Sequence, residues 1–324
     1  MLFLYRKGKK LKHMNDYTTA LTRSELSAGV LQTWLKREVL ENFEPNLYFY
    51  KGGEQPTVEA GYNTLGWAKF SQVDEDSVTE GSDTTDGVTP ASIDFDATVI
   101  TVTPKQYRVV ISLSDMLIGL NVINFLSGAA REVGAAMARR IDKEVQTVIM
   151  AGTNVIYAGG QSARSTLAAT HVLTAALLNR ANALLESRYA PKVDGYYMGY
   201  AHPFQIYDLR TESGSGNWLE VNKYATPDKI FKGEIGMLSN IRIVMAPFIQ
   251  KFSSTVDVYP CLVLGKGAYG VGTFQTLQTY LTPAVASDSD PLAQRRKVGA
   301  KVAFGTKILQ QNAMLRIETG VTAI

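Results

Sequence analysis

Four short stretches carry side chains of the kinds that catalysis or ligand binding uses. Residues 199–210, GYAHPFQIYDLR, set His202, one of three histidines, six positions before Asp208. An imidazole near a carboxylate becomes an acid/base pair when a nucleophile completes it. Residues 265–270, GKGAYG, match the glycine pattern that seats a pyrophosphate on a helix N-terminus, with Asp288 eighteen residues on. Residues 74–86, DEDSVTEGSDTTD, put six carboxylates in thirteen positions and open like a calcium loop. Cys261, inside YPCLVL, is the one thiol and the one candidate sulfur nucleophile.

Each stretch meets a local objection. YYMGYA (196–201) reads as a strand, Pro203 suits the first turn of a helix, and Ile206 and Leu209 share an apolar spacing. His202 then sits at a strand-to-helix corner, where its ring can satisfy a backbone group left open at the helix start. Asp208 falls more than a turn later, on another face. After GKGAYG comes VGTFQTLQTYLTP, which starts no helix and closes no βαβ unit, so a glycine hairpin or loop is expected. In the acidic run, Val78 takes the fifth calcium-loop position and the sixth lacks glycine, so a solvated loop is expected. Cys261 reads as core. His13, His171 and His202 have no metal-ligand spacing, and no G-x-S-x-G or P-loop sequence occurs. No catalytic, cofactor-binding or metal residue is expected.

Bulk composition agrees. The chain has 324 residues, 45% apolar and 19% charged, enough for one large domain or two ordinary ones. One cysteine excludes an internal disulfide and a multi-cysteine zinc site, and fits maturation in a reducing cytoplasm. The formal charge of +3 is concentrated: residues 1–13 hold five Lys/Arg and no acid, leaving −2 for the remainder. A generally basic nucleic-acid-binding surface is therefore not indicated. Residues 1–13 read as a basic tail or an over-called start before Met14, with a nucleic-acid-touching arm as the alternative. No apolar run reaches membrane-spanning length.

The elements that would position these residues follow in order. Residues 22–43 predict an amphipathic helix, with Leu26, Val30, Trp34 and Leu35 on one face and Pro45 as its stop. It needs a partner surface, either its own core or a neighbouring subunit. Residues 51–113 predict a long hairpin with the acidic run at its tip, and Pro104 makes the strand after it an edge or a turn. Apolar residues from Val122 to Val148 recur at steps of three or four, predicting a spine helix of roughly 44 Å that Gly152 caps. A helix over 172–187 leads to the strand before His202. Strands are expected at 241–246 and 258–264. The last thirty residues predict a β-hairpin: Val298, Ala300, Val302 and Phe304 alternate with lysines, and after QQN, Leu315 and Ile317 alternate with Arg316 and Glu318.

This α+β order resembles the major capsid proteins of tailed bacteriophages, the Hong Kong 97 fold. AHPFQIYDLR (201–210), FKGEIGMLSNIRIV (231–244) and DPLAQRRKVGAKVAFGTKIL (290–309) look closer to the capsid family named after coliphage N-four. The resemblance implies an N-arm at 14–50 and an E-loop at 51–113 that laps onto a neighbouring subunit. It implies a peripheral domain from 114–171 with 290–324, and an axial domain at 172–289. It implies a self-assembling, non-enzymatic protein: hexamers and pentamers forming an icosahedral virion shell around phage DNA, assembled in the host bacterial cytoplasm. Implied partners are its own copies, a portal, separate scaffolding and decoration proteins, and packaged DNA held without sequence preference on the inner face. No cofactor and no membrane are implied. His202, Pro203, Asp208, Glu234, Arg242 and Arg295 are the candidate structural or interface residues. Alternatives are an encapsulin-like cargo shell of the same fold, a dinucleotide-dependent oxidoreductase using GKGAYG, and a sugar- or peptide-binding module. The capsid reading requires that the hairpin not fold back snugly over its own body.

Overall fold

The structure, a computed structural model, describes residues 28–43, 47–59, 64–70, 96–119, 125–212, 234–282, 286 and 290–322. The basic tail, the start of the arm helix and the acidic run lie outside the described residues.

Three described helices and a three-stranded sheet make one half of the body. Helix α1 (Ala28–Phe43) lies along the spine, with α2 (Asp115–Gly119) a short turn before α3 (Phe125–Met150). At 26 residues, α3 is about 39 Å long. Its buried side, Ala130, Val133, Met137, Ile141 and Val145, follows the predicted period. It ends through Gly152 N–H donating to the Ile149 carbonyl at 3.0 Å. Gly152 is not among the glycines with positive φ, so the left-handed cap expected there does not form.

The sheet over the spine has the order β11 (Tyr269–Thr282), β12 (Arg295–Ile308), β4 (Lys105–Ser114), all antiparallel. Alternation decides its faces. Val298, Ala300, Val302 and Phe304 stand opposite Ile111, Val109, Tyr107 and Lys105, and the apolar members of this face join the core with α3. Strand β4 is an edge, as Pro104 predicts.

The other half is a mixed seven-stranded sheet. Its order is β5 (Val155–Tyr157), β13 (Met314–Thr319), β10 (Asp257–Leu264), β6 (Tyr197–Ala201), β8 (Ile241–Met245), β7 (Glu234–Leu238), with β9 (Phe252–Ser253) paired to β10. The β6–β8 and β13–β5 pairs are parallel. Helices α4 (Ala175–Ser187) and α5 (Pro203–Thr211) belong to this half, and α4 packs on β13 and β7. Thr174 caps α4 by accepting from Leu177 N–H.

The expected C-terminal hairpin is a misreading. Strand β12 pairs with β11 and β4, whereas β13 pairs with β10 and β5. Two adjacent antiparallel runs, β10–β11 and β12–β13, turn one corner together and so serve both sheets. The corner is tied by Gly265 N–H to the Ala313 carbonyl at 2.7 Å and Leu309 N–H to the Ala268 carbonyl at 3.0 Å. Pairing therefore groups β11 with β12 and β13 with β10, across residue 290. A third, small sheet is a ribbon of β1 (Val58–Glu59), β2 (Leu65–Phe70) and β3 (Ala97–Val102).

Candidate assembly surfaces

The described part of the arm finds its partner on its own chain. Leu35, Val39 and Phe43 are buried against α3, each burial contributing roughly 1.5–3 kcal/mol. Gly134 allows the close approach, since a Cβ there would lie 2.5 Å from the Val39 carbonyl oxygen. At the same seam Glu38 accepts from Arg131 Nε at 2.6 Å and Ser127 Oγ at 2.9 Å. Those two donors hold its carboxyl below the usual range. Of the two partner surfaces expected for the arm helix, its own core is the one that Leu35, Val39 and Phe43 meet.

After the arm, the chain is pinned by a carboxylate that sequence reading passed over. Asp142, buried on α3, accepts with one oxygen, Oδ1, from the backbone N–H groups of Tyr48 (3.1 Å), Phe49 (2.7 Å) and Tyr50 (3.1 Å). Burial raises its pKa, and the three hydrogen bonds oppose that rise. Tyr269 Oη donates to the Phe49 carbonyl at 2.5 Å, and the Phe49 and Tyr200 rings meet at 4.6 Å. Residues 48–50 are thus fixed on the spine where the chain enters the ribbon.

The ribbon is rooted on the body at one end and exposed at the other among the described residues. Trp67 is buried, its Nε1 donates to the Glu54 carbonyl at 3.0 Å, and its indole covers Gly270, where a Cβ would lie 2.4 Å from the ring. Leu65 packs likewise over Gly272, and Val102 over Gly305. Beyond this root Ala68, Lys69, Phe70, Ala97, Thr98 and Val99 are exposed. Register puts Phe70 opposite Ala97 and Ala68 opposite Val99 on one face. Phe70 is 60% exposed and Val99 48%. An apolar face of this kind marks an interaction surface.

The residues that looked chemical prove architectural. His202 is the N-cap of α5: its Nδ1 accepts from Phe204 N–H at 3.3 Å, while Gln205 Oε1 accepts from His202 N–H at 3.0 Å. Its ring lies 4.5 Å from Tyr259, and burial lowers its pKa. Pro203 holds the first helical position. Asp208 is buried on another face, where its Oδ2 accepts from Thr322 N–H at 3.2 Å. Gln205, also passed over, is fully buried and donates from Nε2 to the Tyr259 carbonyl at 2.9 Å and Thr319 Oγ1 at 2.8 Å. It ties α5 to β10 and β13.

Glu234 begins β7 opposite Val244. Arg242, on β8, stacks its guanidinium 5.4 Å from the Tyr196 ring. Arg295 opens β12 opposite Ser114, its N–H donating to Asp290 Oδ2 at 2.9 Å. His202, Pro203 and Asp208 thus stand on α5, Arg242 on β8 and Arg295 at the start of β12.

Sequence alternation placed Glu318 outward, and that is corrected. It is completely buried, bound by Arg164 through Nε–Oε2 and Nη2–Oε1, both 2.6 Å, and by Arg316 Nε at 2.8 Å. Both guanidiniums stack on Phe252, at 3.5 and 5.5 Å.

GKGAYG is the corner loop between β10 and β11. Gly267 supplies a φ of +70°, and Gly265 and Lys266 donate their N–H groups to the carbonyls of Ala313 and Pro191. Those donors are committed, and a strand follows where a phosphate cradle needs a helix. Cys261 is buried, and burial pushes its thiol up to about 12. Among the described residues no group of three His, Cys, Asp or Glu is placed to hold a metal. No described helix is long and apolar enough to cross a membrane.

Comparison with known proteins accounts for this architecture. The fold is similar to the capsid of Ralstonia phage GP4, with a TM-score of 0.67 and 16% identity over 86% of this chain and 92% of that one. It is similar to the capsid of cyanophage Pam1, with a TM-score of 0.65 and 13% identity over 87% and 93%. A Mycobacterium phage Che8 structure aligns with a TM-score of 0.59 and 14% identity over 84% and 90%. No match was found among curated protein sequences. The family model described as phage capsid protein matches residues 98–312, from the third ribbon strand to the corner before β13 and well over half of the chain. A long spine helix under a three-stranded sheet, a ribbon and a mixed sheet are the parts of a Hong Kong 97-like fold, and the chain belongs to the phage capsid protein family.

Proposed function

We propose that this virion capsid protein builds its shell from hexamers and pentamers of its own copies, closing an icosahedron around phage DNA. The observation that carries the proposal is the ribbon: rooted by Trp67, it leaves the apolar side chains of Phe70 and Val99 60% and 48% exposed. Such a face is covered when a neighbouring copy supplies the missing surface. Each contact can be modest, because a closed shell repeats it many times.

Residues 51–113 are the E-loop in this reading and 14–50 the N-arm. The peripheral domain is α3 with β11 and β12, to which β4 joins the end of the E-loop, and the axial domain is the seven-stranded sheet with α4 and α5. The sheet pairing, rather than residue 290, supports that division. His202, Asp208, Glu234, Arg242 and Arg295 shape the lobes that meet other subunits. Assembly in the host bacterial cytoplasm, with a portal, separate scaffolding, decoration proteins and DNA against the inner wall, completes the reading. The role is structural, not catalytic.

Negative-stain microscopy of the purified full chain tests it. Rings of five or six subunits, or closed shells, are expected. Uniform compact monomers at every concentration and salt would overturn the proposal.

A further inference from the structure

The sheet over the spine is one strand short at one end. Strand β12 runs from Arg295 to Ile308, but its pairing with β4 stops at Phe304, opposite Lys105. Pro104 has no N–H with which to extend the ladder, and on its other side the chain belongs to the ribbon. Residues 305–308 therefore keep β11 as their one strand neighbour among the described residues. Helix α3 runs on to Met150. Where the strand is missing beside the helix end, a cavity of about 640 Å³ remains.

Its walls are apolar, with Phe304, Ile308, Val148 and Val102 among them. Its polar groups differ in what they have left to offer. Glu144 is committed, 2.5 Å from Arg140 Nη2 and hydrogen-bonded to Tyr107. Lys105 also lines the cavity, on the strand face that meets α3, and has no ion-pair partner among the described residues. Thr306, two residues beyond Phe304 on that face, has its hydroxyl oxygen enclosed and without a hydrogen-bond partner. A buried hydroxyl in that state calls for a partner. The register makes Lys105 and Thr306 diagonal neighbours, a spacing of about 7–8 Å that a lysine side chain spans. One free cation and one free hydroxyl thus converge beside an apolar wall.

We infer that this cavity binds a single-chain amphiphile with a singly charged anionic head, of the medium-chain fatty acid class. The head takes the Lys105 ammonium and the Thr306 hydroxyl, and the chain lies over Phe304, Val148 and Ile308. The volume falls within the range of small-molecule sites, about 300–1,000 Å³. A cationic head would face Lys105 unpaired, and a polyphosphate would bring more charge than one lysine answers and gain nothing from the apolar wall. Bound there, the amphiphile joins the end of α3 to β12 and to Val102 at the ribbon's root, so occupancy stabilises the unassembled subunit.

Isothermal titration and thermal transitions of the unassembled full chain test it, with decanoate, decanol and decyltrimethylammonium below their micelle-forming concentrations. Decanoate is expected to bind and to raise the transition, decanol to bind about tenfold more weakly, and decyltrimethylammonium not at all. Lys105→Glu, at an exposed position, should weaken decanoate about tenfold and leave decanol unchanged. Ala151→Trp, at an exposed position on the cavity wall, should block both. If Ala151→Trp lowers the unliganded transition, Lys105→Glu alone decides. Equal binding of the three amphiphiles, or decanoate binding unmoved by Lys105→Glu, overturns the inference. So does the absence of decanoate binding at ~1 mM. Protection of Lys105 from amine labelling in shells, with no decanoate bound by unassembled chains, would assign the cavity to a neighbouring copy and overturn it as well. Shell formation stands or falls separately, because the ligand is read on unassembled protein.

Discussion

The Phe49 backbone N–H donates to Asp142 Oδ1 at 2.7 Å, joining residues 93 positions apart. With the bonds from Tyr48 and Tyr50, it fixes the entrance to the ribbon on the spine helix. Asp142→Ala strands three N–H donors, at least one fully buried, and is expected to cost about 2–4 kcal/mol in denaturant titration. Asp142→Asn keeps an acceptor oxygen and removes the desolvated charge, so a change within about 1 kcal/mol is expected.

The same carboxyl predicts a pH dependence. Burial raises its folded pKa above the ordinary 3.8, so the folded state holds the proton more tightly than the unfolded chain. Its stabilisation is complete below the unfolded value and is lost as pH rises through the folded one. Denaturant midpoints of unassembled protein should therefore fall relative to Asp142→Asn as pH climbs above 3.8. Parallel curves for the two proteins would show that Asp142 does not titrate differently on folding.

Phe70 and Val99 separate folding from assembly. Phe70→Asp with Val99→Asp alters exposed positions and should change monomer stability by no more than about 0.5 kcal/mol, while sharply reducing shell yield in sedimentation. Trp67→Ala acts at the root. Its indole is buried over Gly270, so it should lose about 3 kcal/mol as well as assembly.

Glu318→Gln leaves Arg164 and Arg316 without a countercharge beside a buried amide. A loss of about 3–5 kcal/mol is expected. Arg164→Ala should cost less, because that side chain is one-third exposed and Arg316 still pairs with Glu318. A double-mutant cycle measures the difference.

Cys261 should resist thiol reagents in the native protein, since its burial and a pKa pushed to about 12 leave almost no thiolate at neutral pH. Modification should appear only with unfolding. Rapid labelling of folded protein would contradict the packing of β10.

Much of the local structure was legible because it obeys short-range rules. The spine follows a 3.6-residue period, the inner face of β12 a two-residue period, and Pro203 after His202 announces a helix start. The absence of a helix after Gly270 already spoke against a dinucleotide cradle, and the packing of Cys261 follows from its apolar run. What distinguishes a strand's neighbours is not local. Alternation in 295–319 is satisfied equally by a hairpin and by two strands in different sheets, and the corner at Ala268, Leu309 and Ala313 is made by bonds between distant segments. Likewise a carboxylate in a strand or helix reads as solvent-facing until its partners are known. Glu318 meets Arg164 across 154 residues and Asp142 meets Phe49 across 93. Periodicity set which side chains share a face; long-range contacts alone chose what that face touches, because the energy of a buried charge or a strand pairing belongs to the pair and not to either segment.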